Sequence, residues 1–143
     1  MSEWRETLRG VVFPWHCDHF GHMNVRWYSH FFDDAGFQLW TVAGVSQSFM
    51  RENHAHVVVA QNKISYIHEL RAGELVVVKS AFTRLGNRSV THVSRMYNAD
   101  TGVLNATLES VDVFFDMEAR KSAAMPDVIR NVLTPLIVTV EDE

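Results

Sequence analysis

Cysteine is almost absent from this chain. Cys17 stands alone, so no disulfide can form within the chain. That usage fits a reducing compartment, and a cytoplasmic location is expected. Basic charge is also scarce. Thirteen Lys and Arg face 17 Asp and Glu, a formal net charge of −4. Nucleic-acid binders usually present a basic surface, so a general nucleic-acid role is excluded, although local basic clusters can still hold a phosphorylated ligand. No apolar run approaches the about 20 residues that a membrane helix needs. The N-terminal Met-Ser-Glu-Trp-Arg-Glu has no apolar signal core. No membrane partner is expected. Repeats, linkers and low-complexity tracts are missing too, which leaves one domain over residues 1–143.

What remains is a globular composition, with 47% hydrophobic and 21% charged residues in 143. About two thirds of the unfolded surface can be buried at this size. Residues 8 to 14 read as a short strand stopped by Pro14, and residues 15 to 23 as a loop. From Asn24 to about Ala43 the apolar residues Tyr28, Phe31, Phe32, Ala35, Leu39 and Val42 recur at spacings of three and four, the mark of an amphipathic helix. Gly36 interrupts that helix at about 1 kcal/mol relative to Ala, so close packing is the expected reason for it. Gly44 is a plausible C-cap. Strands are expected at residues 56 to 68, 74 to 85, 88 to 98 and 103 to 116, with Gly86-Asn87 and residues 99 to 102 as turns. Pro126 can open a last short helix. One strand, one long helix and four consecutive strands make an α+β layer with an antiparallel sheet of about five strands.

Chemistry concentrates between residues 16 and 28. Asp18 lies on a Gly-containing turn just before the helix, and Asn24 is a good N-cap. The unpaired N–H groups and positive dipole end of the helix suit an oxygen that gains negative charge. A carboxylate beside such a site is a minimal kit for acyl transfer to water. Gly21 can supply an unusual backbone conformation, and His22 can position Asp18 or a ligand. Tyr28 lies on the apolar stripe, where core packing is the stronger expectation. His16, Cys17, Asp18, His19 and His22 crowd together, and zinc accepts such ligands. Yet neither a helical H-E-x-x-H nor a paired C-x-x-C occurs, so no metal is expected.

The run Asp18-His19-Phe20-Gly21-His22-Met23-Asn24-Val25-Arg26-Trp27-Tyr28, of pattern D-x-x-G-H-x-N-x-x-x-Y, resembles the active-site segment of hotdog-fold acyl-CoA thioesterases of the 4-hydroxybenzoyl-CoA type. Lys63 to Ile67, Arg84 to Ser89 and Val113 to Lys121 extend the resemblance over nearly the whole chain. It implies a long helix wrapped by the sheet, and hydrolysis of an acyl-CoA to a carboxylic acid and free CoA. Asp18 would be nucleophile or general base, with His22 and Asn24 beside it and an oxyanion site among the N–H groups of Val25 to Tyr28. Gly21, Val25, Tyr28, Asn87, Arg88 and Ser89 would contact substrate. Arg84, Arg120 and Lys121 are further phosphate candidates. No cofactor is implied beyond the CoA of the substrate, and a homodimer or homotetramer is. Many family members carry an acidic residue where this chain has His16, so their charge environment is not transferred to Asp18. The segment is especially similar to thioesterases of carnitine and betaine breakdown, and Trp15, Trp27 and Tyr28 offer aromatic faces to a quaternary ammonium. The long apolar stretch 108–115 is compatible with sheet continuation between subunits. The alternatives are a hotdog hydratase or dehydratase, and a non-catalytic acyl-CoA-binding module.

Overall fold

Along Ser89–Asn98 every second side chain is buried, the alternation of a strand with one face on a core. That strand, β4, sits at the centre of a sheet in the computed structural model, which describes residues 4–140. The other strands are β1 (Arg5–Val11), β2 (Val57–Tyr66), β3 (Leu75–Leu85) and β5 (Leu104–Asp116), with a two-residue β6 (Lys121–Ser122). The order across the sheet is β1-β3-β4-β5-β2, every pair antiparallel, and β6 pairs with β5. Strands β3, β4 and β5 form a meander, as tight turns require.

Two expectations need correction. Strand β2 does not pair with its sequence neighbour β3. It lies beside β5, in the register Val57↔Phe114 to Tyr66↔Ala106, and residues 67–74 carry the chain across to β3. That segment is too long and too rich in turn residues for a tight hairpin. In consequence β5 is covered on both sides, and β2 is an outer strand, as β1 is at the opposite side of the sheet. Val58, Val59 and Tyr66 are exposed there. The first strand is also displaced. It ends at Val11, and Pro14 opens a single 3₁₀ turn, Pro14–His16, where its missing N–H costs nothing.

Helix α1 (Val25–Val42) lies on the sheet through Tyr28, Phe31, Phe32, Ala35, Leu39 and Trp40. Its end is a Schellman motif with Ala43 as the C-cap residue. Gly44 follows at φ +99°, its N–H donating to the Thr41 carbonyl (3.1 Å), while the Val45 N–H donates to that of Trp40 (2.9 Å). Two apolar clusters hold the layers. One surrounds Phe32, Val76, Val78 and Met96 near the helix start, and the other surrounds Leu39, Phe82, Phe114 and Ile129 near its end. Each such side chain contributes about 1.5–3 kcal/mol on burial. Helix α2 (Gln47–Glu52), capped by Ser46 Oγ accepting the Phe49 N–H, was not expected from sequence. Six residues are too few for a periodic signal. Helix α3 (Asp127–Leu133) follows Pro126 as expected and closes the second cluster through Ile129 and Leu133.

Candidate functional site

Asp18 is held from both sides. Its backbone N–H donates to the His22 carbonyl (3.0 Å), and its carbonyl accepts the Gly21 N–H (2.9 Å), which closes a tight turn. Gly21 takes φ +80°, and a Cβ there would touch nothing within 4 Å. Glycine is therefore required for its backbone conformation, not for space. Within the turn the Phe20 N–H donates to Asp18 Oδ1 (2.9 Å), and Asn24 Nδ2 donates to Asp18 Oδ2 (3.3 Å). Each carboxylate oxygen thus has a fixed donor.

Asn24 does two jobs with one amide. Its Oδ1 accepts the Arg26 N–H (3.2 Å), the N-cap bond, which leaves Nδ2 for Asp18. An α-helix begins with four N–H groups that have no helical partner. Here the Asn24 N–H donates to the His16 carbonyl (2.8 Å), the Arg26 N–H to Asn24 Oδ1, and the Trp27 N–H to the Asn24 carbonyl (2.9 Å). The Val25 N–H is the one with no acceptor among the described residues. It stands in the first turn, at the positive end of the helix dipole, and its residue is exposed.

The Phe20 N–H lowers the Asp18 pKa from its ordinary 3.8, helped by the Asn24 amide, nearby His19 and the His22 backbone, against a smaller opposing effect of burial. A carboxyl with a depressed folded-state pKa stays ionised throughout the neutral and mildly acidic range and is protonated only below its ordinary value. If Asp18 carries a reaction, the acid limb of kcat/KM therefore lies below pH 3.8, with no inflection between pH 5 and 7 from this group. A pH–rate profile with buffer controls for unfolding checks it.

The other expected residues are distributed differently. The His22 side chain turns away from Asp18, with Nε2 3.2 Å from Glu69 Oε2. Its carbonyl, not its ring, serves the site. Tyr28 is buried in the first cluster, edge-on to Tyr66, and burial pushes its hydroxyl up to about 12. It is a core residue. The crowded His and Cys side chains also diverge. His16 is buried against Trp27 and Phe31, with Nδ1 accepting the Phe13 N–H, and burial lowers its pKa. Cys17 Sγ faces the Phe13 carbonyl, and His19 lies on Phe20. Among the described residues no three His, Cys, Asp or Glu side chains form a metal-binding group. Trp15, stacked on Phe13, and Trp27 both pack against His16, while Tyr28 meets Tyr66 and stands apart from that ring cluster.

Asn87, Arg88 and Ser89 sit at the far end of the sheet. The Asp18 turn abuts the start of β3 through the Gly73 N–H on Val12 and the Met23 N–H on Leu70. The Gly86–Arg88 turn follows the end of β3, whose length at about 3.3 Å per residue is about 35 Å. There Arg88 Nη1 donates to the Ser122 carbonyl (3.2 Å) and Oγ (2.9 Å), and Arg130 Nη2 donates to the Gly86 carbonyl (2.7 Å). Within one chain these residues and Asp18 do not meet.

Sequence reading missed a cavity of about 190 Å³ between α1 and strands β2, β4 and β5. Ser29, Asp33, Gly36 and Trp40 line it from the helix, and His92, Ser110 and Asp112 from the sheet. The readable signal was small. His92 occupies an inward place of β4 among Val90 and Met96, where a purely structural strand would carry an apolar residue.

Comparison with known proteins follows the same lines. A family model described as the thioesterase-like superfamily matches residues 12–133. The L-carnitine dehydrogenase/betainyl-CoA thioesterase of Rhizobium meliloti (strain 1021) is 24% identical over 119 residues, 83% of this chain but 24% of that protein. A protein of the same name from Rhizobium sp is 25% identical over 116 residues, covering 81% of this chain and 23% of its own length. The chain thus spans about a quarter of these curated relatives. Among solved structures, a Staphylococcus aureus protein in complex with CoA superimposes with a TM-score of 0.85 at 18% identity, covering 100% of this chain and 92% of that one. A 1,4-dihydroxy-2-naphthoyl-CoA thioesterase from Synechocystis gives 0.77 at 13%, covering 89% and 93%. At such identities these structures speak to the fold, and the fold is the hotdog. With the match extending from Val12 to Leu133, the chain belongs to the thioesterase-like superfamily.

Proposed function

We propose that this chain hydrolyses acyl-CoA thioesters, with Asp18 as the reacting carboxylate and the Val25 N–H as the donor to the thioester oxygen. The observation that carries the reading is the pairing of one fixed, ionised carboxylate with one unspent N–H at the start of the helix. Charge develops on the carbonyl oxygen as the tetrahedral species forms, and a donor already in place costs no reorganisation then. Asp18 either takes a proton from the attacking water and passes it to the leaving sulfur, or attacks the carbonyl itself. In the second route a mixed anhydride forms, CoA thiolate leaves, and water then cleaves the anhydride. Both give a carboxylic acid and free CoA, and neither uses a metal. The curated relatives and the CoA-bound neighbour support a CoA ester as substrate. A thiol-release screen over acyl-CoAs tests the reading. Release of free thiol supports it, whereas ligand binding without turnover, or hydration of an enoyl ester, overturns it.

The proposal includes a second copy of the chain. The outer strand β2, with exposed Val58, Val59 and Tyr66, is an uncapped template for strand pairing. A dimer would also explain how Asn87, Arg88 and Ser89 serve a site they cannot reach within their own chain. In it, the nucleotide end of the substrate lies on the partner's hairpin. Arg88→Ala should then raise KM several-fold while kcat changes little, because a remote contact is kept in both ground and transition states. The effect should be larger for full CoA esters than for pantetheine esters, which lack the adenosine and 3′-phosphate. Equal losses on both would assign Arg88 to anchoring β6 through Ser122.

A further inference from the structure

The cavity under α1 contains an unsatisfied group. Asp112 is buried, and its carboxylate takes three donors: Trp40 Nε1 (3.3 Å) and His92 Nε2 (3.1 Å) on Oδ2, and Ser110 Oγ (3.2 Å) on Oδ1. A carboxylate accepts only, so His92 presents Nε2–H to it. In the neutral ring Nδ1 then carries a lone pair. His92 is only 3% exposed, and its Nδ1 has no partner among the described residues. Gly36 faces this ring, with His92 Cε1 3.7 Å from where a Cβ would stand, an ordinary contact distance. A buried acceptor left unmade is unfavourable, and cores normally satisfy it. The ring lines the cavity, and the cavity is where a partner can come from.

The cavity also runs along the face of α1 that leads away from Val25. It begins at Ser29, one turn beyond Val25, and runs to Trp40, about 16 Å at 1.5 Å per residue. The level of Gly36 and His92 is about 16 Å beyond Val25, where the thioester oxygen is proposed to sit. We infer that this cavity takes the distal part of the acyl group and that His92, oriented by Asp112, selects long acyl groups that carry a hydroxyl towards their far end. This rests on the thioesterase reading above and names its substrate class. The hydroxyl donates to Nδ1. A quaternary ammonium has no N–H to give. Such a cation leaves Nδ1 as it was.

The experiment compares plain, ω-hydroxy and ω-methoxy acyl-CoAs of twelve and fourteen carbons. The methyl ether accepts but cannot donate. In the wild-type chain kcat/KM should favour the hydroxylated ester about ten- to hundredfold over both others, the scale for one hydrogen bond to an otherwise unpaired buried group. The ratio within each variant is the readout, so general losses cancel. His92→Phe should bring it near one, and His92→Gln, whose amide oxygen can accept, should keep part of it. A wild-type ratio near one, a methyl ether as good as the alcohol, or a preference that survives His92→Phe overturns the assignment. Calorimetric binding of the same esters to Asp18→Asn gives a second readout without turnover. If no ester releases thiol, the hydrolase reading fails. Tighter binding of the hydroxylated ester would then still support the His92 assignment, and equal binding would overturn it.

Discussion

Asp18→Asn should leave the fold intact and lower kcat by at least about a hundredfold, the low end for a positioned acid/base group. The substitution removes a charge and almost no volume. Asn at this place can still accept the Phe20 N–H through its oxygen, so the turn that Gly21 closes should survive. Its own NH₂ then faces the Asn24 NH₂, two donors without an acceptor between them, and one of the two side chains must swing towards water. The site is half-buried at most, so that adjustment is cheap. What the variant cannot do is take a proton from water or attack a carbonyl. Thiol release measured with the best acyl-CoA of the panel, alongside circular dichroism and a thermal melt, separates chemistry from folding. Near-wild-type turnover in a folded Asp18→Asn chain would remove Asp18 from the reaction. An unfolded chain would show that its contacts to Phe20 and Asn24 are structural. A small change in KM beside a large change in kcat is the expected signature, because the carboxylate acts on the reacting atoms rather than on the bulk of the substrate.

The part of this site that was legible in sequence is the part built from local rules. Asn24 reads as an N-cap because a short amide before an apolar periodic run has one common use, and its Oδ1 takes the Arg26 N–H accordingly. Gly21 reads as a special backbone position, and its φ is +80°. The stripe from Tyr28 to Leu39 is buried as its spacing requires. What failed depends on distance along the chain. Nothing in residues 56 to 68 says that this strand passes its sequence neighbour to pair with β5, because period-two alternation fixes a face and not a partner. Once β2 is an outer strand, the proposed subunit contact moves from the stretch 108–115 to the strand bearing Val58 and Val59. His22 reads as a positioning residue, by ring or by backbone; its carbonyl takes the Asp18 N–H, and spacing in a loop sets no direction for the ring. Its ring finds Glu69 instead. The separation of Arg88 from Asp18, at opposite ends of β3, is likewise set by the sheet and not by the order of motifs along the chain. The cluster of Trp40, His92, Ser110 and Asp112 comes from three elements, and no single segment announces it.

Asn24 should prove the second most sensitive position, and two substitutions there separate its two roles. Asn24→Ala removes both hydrogen bonds. Loss of the cap should cost about 1 kcal/mol of stability. Loss of the Nδ2 donor should also release Asp18 Oδ2, and kcat should fall about tenfold, since a carboxylate free to rotate spends less time aligned with the Val25 N–H. Asn24→Asp behaves differently. Aspartate caps as well as asparagine, and its charge suits the helix start, so the melting temperature should stay close to wild type. The donor to Asp18 becomes a second carboxylate at the position of the present 3.3 Å contact. Two like charges at that range disfavour joint ionisation, and one proton is held more tightly by the pair. The sign follows directly. In the wild-type chain the Asp18 pKa is lowered, so the active ionised form persists down to below pH 3.8. In Asn24→Asp the first protonation of the pair moves upward, and activity should be lost at least about one pH unit sooner as acid is added. Above that limb kcat should recover towards the level set by the missing hydrogen bond alone. The measurement is a pH–rate profile of each variant beside its pH-dependent melt. An Asn24→Asp profile that overlays the wild type would mean either that Asp18 does not titrate in the rate-limiting step or that the Asn24 amide does not face it in solution. Asn24→Ala decides between these, because a tenfold loss there with an unmoved acid limb leaves the contact in place and removes Asp18 titration from the rate.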